Sequence, residues 1–255
     1  MTEILPSAPT APLDTEAVLD ALARRHRAAG GLGLQVLNLV GGQAENLLDR
    51  LPDRVKDRLD SATEQALRVA IRAAGQSRGV VRDQAGWLNT AVTTAMGGMG
   101  GVGGLPTALA ELPVTTTVLL RAIMGIAAEY GFDPAEEEVQ KHCLHVFSAA
   151  GPLAEDDGSD MAFLAARVTL TGSTLRGIIG RVAPRLGTVL GQKLAAQTVP
   201  LLGAVAGAAT NYAYTSYYQE MAHVHFGLLR LSRETGLPPE HLAGQLRQRL
   251  KRDGA

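Results

Sequence analysis

Apolar residues along this chain recur at spacings of three and four, the period of a helix with one buried face. Val55, Leu59, Ala62, Ala66, Val69 and Ala73 form one such stripe, beginning after the start signal Leu51-Pro52-Asp53 and running to about Gly75. Its other side carries Arg54, Lys56, Asp57, Arg58 and Asp60 and reads as a solvated face. Upstream, Asp14 offers an N-cap for a helix that Gly30-Gly31 is predicted to end, with a shorter piece over 34–48. Downstream, a helix from near Thr115 to Tyr130 stops at Gly131, and Asp133-Pro134-Ala135-Glu136 carries the cap, proline and acid of a helix start. That helix ends near Gly151. An acidic loop, 155–160, precedes helices predicted from Asp160 to about Leu170 and from Ser173 to Leu194, the latter kinked or broken at Pro184. A long helix then runs from Gly203 to Glu234 before Gly236, and a last one starts at Pro238-Pro239-Glu240.

No stretch alternates apolar and polar residues between turn signals, so the fold class is all-α. The architecture predicted is a compact multi-helix bundle with a glycine-rich hinge at 97–104 and one long C-terminal helix. Residues 1–13, with three prolines and one charge, read as a disordered tail, and 14–251 as a single helical domain.

Two stretches, 84–110 and 194–219, contain no Asp, Glu, Lys or Arg. Each is long enough for a membrane span of roughly 20 residues, yet poor in large apolar side chains. Gly203 and Gly207 stand at the GxxxG spacing that lets helices approach closely. These segments read as centrally buried helices, as surfaces that associate reversibly with a membrane, or as integral spans. Tyr212, Tyr214, Tyr217 and Tyr218 cluster within the second segment with Phe226 just beyond it, and tyrosine favours both core edges and the membrane–water boundary.

Composition narrows the function. The 255 residues carry 24 Lys and Arg against 25 Asp and Glu, a net charge of −1 that provides no field for nucleic-acid binding. One cysteine rules out an internal disulfide. Glycine is abundant, at 29 residues, beside four Phe, five Tyr and one Trp, so helices are expected to pack backbone-close.

Candidate chemistry is sparse. Gly98 to Gly103 matches GxGxxG, but no strand precedes it and the next acid, Glu111, comes too soon for a dinucleotide site. His142 and His145 share a helix face beside Cys143, and a metal site with His223 or His225 is geometrically open. No HExxH or ExxH pattern supports it, so structural histidines are the reading, with no metal and no cofactor. No GxSxG elbow occurs, and no catalytic residue is assigned. Gly203, Gly207, Asn211, Tyr214, Tyr218 and His225 line one side of the long helix, as helix packing or as one wall of a groove.

Three segments resemble the EcsC family of bacterial proteins. They are Leu51 to Leu59; Gly100 to Pro134, including Glu111-Leu112-Pro113-Val114-Thr115-Thr116 and Tyr130-Gly131-Phe132-Asp133-Pro134; and Val199 to Gly207 with Asn211-Tyr212-Ala213-Tyr214-Thr215. The family's central motif has Asp where Glu111 stands. The family is named for a gene found with the components of an ABC transporter. The resemblance implies an all-helical fold and an accessory role in the cytoplasm at the inner face of the cell membrane. With the two uncharged segments, the tyrosine cluster, the basic C-terminal tail and no catalytic motif, the reading is a non-enzymatic accessory of transport or secretion. The partners it implies are the membrane surface or an ABC transporter. A lipid- or apolar-ligand-binding module is the alternative, and a hydrolase or metal enzyme using Glu111, His142, His145 or His223 a more distant one. The resulting candidate surface for a ligand or partner comprises Glu111, Pro113, Tyr130, Asp133, Gly203, Gly207, Asn211, Tyr214 and Tyr218.

Overall fold

The computed structural model describes residues 14–40, 49, 51–77, 112–149, 151, 172–197 and 203–253, and among them every regular element is an α-helix. In chain order these are α1 (Thr15–Val40), α2 (Asp53–Ser77), α3 (Leu112–Glu129), α4 (Glu137–Val146), α5 (Leu175–Gln197), α6 (Gly203–Thr235) and α7 (Pro239–Asp253). The tail 1–13, the hinge 97–104, the stretch 84–110, the loop 155–160 and the helix predicted from Asp160 lie outside the described residues.

The long helix α6 is the axis. It packs along α1 and also meets α4, α5 and α7, while α2 lies against α5. Ala213, Tyr214, Tyr217, Tyr218, Met221, Ala222, Val224, Phe226, Leu228 and Leu231 of α6 are all buried, leaving no single apolar stripe. Burial around most of its circumference is what a central helix requires. Gly236, at φ +71°, ends it where predicted.

Three local expectations change. Helix α1 starts as predicted, with the Ala17 amide donating to Asp14 Oδ1 at 3.1 Å, but it passes through Gly30-Gly31 to Val40. A glycine stop needs positive φ, and neither glycine adopts it. Helix α5 runs unbroken through Pro184. Pro184 is exposed, as is Gly180, whose carbonyl loses its helical partner to the proline, so water can take that bond. Helix α4 begins at Glu137, later than Asp133 implied. Asp133 Oδ1 accepts from the Ala135 amide at 2.9 Å and its carbonyl from the Glu136 amide at 3.0 Å, closing a turn ahead of the helix.

The stripe on α2 is also rotated. Leu59 and Ala66 are buried, but Val69 is 40 % exposed, and Thr63, Leu67 and Ala70 take the inner face. The reason lies on α5. Gly187 presents bare backbone to this helix, and a Cβ built there would lie 2.9 Å from Asp60 Oδ1 and 3.5 Å from Thr63 Oγ1.

Among the described residues, one helix is long and apolar enough to cross a membrane: α3, with mean hydropathy 1.3 and 56 % of its residues buried.

Candidate functional site

The α6 side that carries Asn211, Tyr214, Tyr218 and His225 faces inward, and all four are buried. Tyr218 meets Phe147, just beyond α4, edge-on at 5.2 Å and Tyr217 at 5.3 Å. The Tyr214 hydroxyl has no hydrogen-bond partner among the described residues. Burial, and secondarily Tyr218, push its pKa well above the ordinary phenol value, so this ring stays neutral. Tyr212 points the other way and is 48 % exposed. Gly203 and Gly207 occupy the first turns of α6.

The histidines divide between two places. His142 and His145, one turn apart on α4, both reach His225 of α6. His142 Nδ1 and His225 Nε2 are 3.1 Å apart, and the His145 and His225 ring centres 5.4 Å. One nitrogen of the bonded pair must donate and the other accept, so the bond survives with at most one of these two rings cationic. His145 Nδ1 also meets Ser148 Oγ at 3.2 Å. Nitrogens occupied with one another are not aimed at an ion. Among the described residues, no three His, Cys, Asp or Glu side chains are arranged to hold a metal.

His223 turns instead toward α1 and the end of α3, its ring edge-on to Tyr130 at 5.7 Å. Burial, helped by the Arg25 guanidinium, lowers its pKa from 6.5 to about 4. Arg25 is itself paired with Glu220 at 2.8 Å. Burial likewise raises the Tyr130 phenol, against the opposing pull of Arg25.

The segment Tyr130-Gly131-Phe132-Asp133-Pro134 is held by one side chain from α6. Arg233 donates to the Gly131 carbonyl at 3.2 Å and the Tyr130 carbonyl at 3.3 Å, and its guanidinium lies 4.7 Å from the centre of the Phe132 ring. Gly131, at φ +77°, supplies the left-handed residue that ends α3. Phe132 packs on Phe226 at 5.6 Å. These contacts give Tyr130 and Asp133 places in a corner joining α3, α4 and α6. Pro113 sits in the first turn of α3, where its carbonyl accepts from Thr117 Oγ1 at 2.6 Å. Glu111 lies outside the described residues.

The chain's first and last described helices form a feature that sequence patterning did not reveal. Helices α1 and α7 pack together, and between them runs an open groove lined by Glu16, Asp20, Arg24, Arg27, Arg249 and Arg252. Arg249 spans it, donating to Asp20 Oδ1 at 2.9 Å and to Glu16. The basic end of α7 is visible in the sequence, but its partners Arg24 and Arg27 lie more than two hundred residues away.

Residues 76–231 match the EcsC protein family, more than half of the chain. The chain belongs to the EcsC family. Neither the curated proteins nor the solved structures hold a match to it. Within this EcsC protein, the Arg233 corner and the buried tyrosine and histidine side of α6 fall almost wholly inside the matched region, whereas every residue of the arginine groove falls outside it.

Proposed function

We propose that this EcsC-family chain is a non-enzymatic helical accessory that sits peripherally on the cytoplasmic face of the cell membrane and serves a transport or secretion complex there. One observation carries the reading. In a chain of net charge −1, the α1–α7 corner gathers Arg24, Arg27, Arg249 and Arg252 around one groove, with Arg247 and Lys251 on the same terminal helix. Glu16 and Asp20 share the groove, paired with Arg249, and the corner stays net positive. An anionic membrane surface attracts such a corner, at about 1 kcal/mol per basic side chain close to it. The family's link to transporter genes favours the same setting. Full burial of Tyr214, and partial burial of His223 beside Arg25, displace their pKa values, which accounts for them without catalysis.

Sedimentation with vesicles tests the reading. The protein is expected to pellet with phosphatidylglycerol-containing vesicles at low salt, to be released as salt rises, and to ignore pure phosphatidylcholine. Recovery wholly in the supernatant with both vesicle types at low salt overturns it.

A further inference from the structure

The arginines of the α1–α7 groove are arranged more specifically than a general affinity for anionic surfaces needs. Arg24 and Arg27 stand three residues apart on α1, and Arg249 and Arg252 three apart on α7, so each helix turns two guanidinium groups to one side. All four line the same groove. The two carboxylates there, Glu16 and Asp20, are both engaged by Arg249, whose side chain is only 14 % exposed and is thereby fixed in place. Arg24 and Arg252 are exposed and make no ion pair or hydrogen bond among the described residues. Arg24 and Arg252 thus bring two guanidinium groups into this concave space that no carboxylate among the described residues engages.

We propose that this groove is a binding site for a phosphate monoester, gripped by Arg24 and Arg252 from its two sides and backed by Arg249. A terminal phosphate offers three oxygens and close to two negative charges, which matches planar guanidinium forks converging from two helices. A phosphodiester, with two free oxygens and one charge, satisfies fewer of them. The groove lies entirely outside residues 76–231, so the site belongs to the flanking helices of this chain and not to the segment its family shares. The inference rests on the membrane reading only in naming lipid as one source of the phosphate; a soluble phosphate compound is the other.

The test uses the full chain, inorganic pyrophosphate as soluble probe, and vesicles carrying either phosphatidic acid, a monoester, or phosphatidylglycerol, a diester. The double variant Arg24→Gln/Arg252→Gln is compared with Arg247→Gln/Lys251→Gln, which removes the same charge from residues that do not line the groove. Calorimetry should show saturable pyrophosphate binding, weakened about tenfold or more by the first pair and little by the second. Preference for phosphatidic acid that is lost only in the first pair also supports the site and names lipid as its source. Pyrophosphate binding without binding to either vesicle supports the site and overturns the membrane reading. Vesicle binding that ignores headgroup and falls equally in both variants, with no saturable pyrophosphate binding, overturns the site and leaves the membrane reading standing. Absence of both kinds of binding overturns both.

Discussion

Leu22 of α1 and Gly227 of α6 meet with no room for a methyl group between them. A Cβ built on Gly227 would fall 2.6 Å from Leu22 Cδ2 and 3.4 Å from Cδ1. Leu22 is buried in the main core and has little freedom to swing aside. Alanine at 227 would gain about 1 kcal/mol of helix propensity but overpack the contact at a cost of about 1–3 kcal/mol. Gly227→Ala is therefore expected to destabilise the protein by roughly 1 kcal/mol in urea titrations. Shortening the partner should relieve the clash, so Leu22→Ala/Gly227→Ala should lose less than the two single losses combined. Simple additivity would show that the two helices adjust without strain.

The glycines within α1 carry the opposite expectation. Gly30 and Gly31 lie in a continuous helix, and a Cβ on either meets nothing within 4 Å. Gly30→Ala and Gly31→Ala should each stabilise by about 0.5–1 kcal/mol, since only the backbone entropy cost of glycine is removed. A loss of stability in the same titration would mean that the chain bends there.

These two glycine sites also show what was legible in the sequence. A glycine pair after a helical pattern is a stop signal locally, and only packing along α6 tells that α1 continues. The end of α6 was readable because Gly236 follows the last apolar position and takes positive φ. The spacing of His142 and His145 placed them on one face, but whether His223 or His225 would meet them depends on the rotation of α6 about its axis. Two residues apart on a helix point nearly opposite ways, and packing chose His225 for α4 and His223 for Tyr130. The arginine groove was illegible for a different reason: Arg24 and Arg252 share no local pattern and become neighbours only through the fold.

Arg233 holds the corner between α3 and α4, and its fork of donors is what lysine lacks. Arg233→Lys is expected to keep the charge over Phe132 but lose one or both carbonyl bonds, at about 0.5–1.5 kcal/mol. Gly131→Ala forces a side chain into the left-handed region, at about 1–2 kcal/mol. Thermal melts of both variants check this. Unchanged midpoints would show that the corner is held by Phe132 packing alone.

His223 gives the protein a pH dependence whose sign follows from its burial. In the folded chain its pKa is about 4, against an ordinary 6.5, because burial and Arg25 both disfavour the imidazolium. Between those two values the unfolded chain takes up a proton that the folded chain refuses. Its contribution is therefore fully present above the ordinary value and is lost as pH falls toward the folded one. The ring is only half-buried, so solvent screening reduces the effect to on the order of 1–2 kcal/mol. His223→Phe keeps an aromatic edge against Tyr130 and removes the titration. Urea unfolding at about pH 7.5 and about pH 4.5 should show the wild type losing more stability on acidification than the variant, by that amount. Equal losses would mean that His223 is protonated in the folded protein as readily as in the unfolded one, and that Arg25 and burial do not hold it neutral.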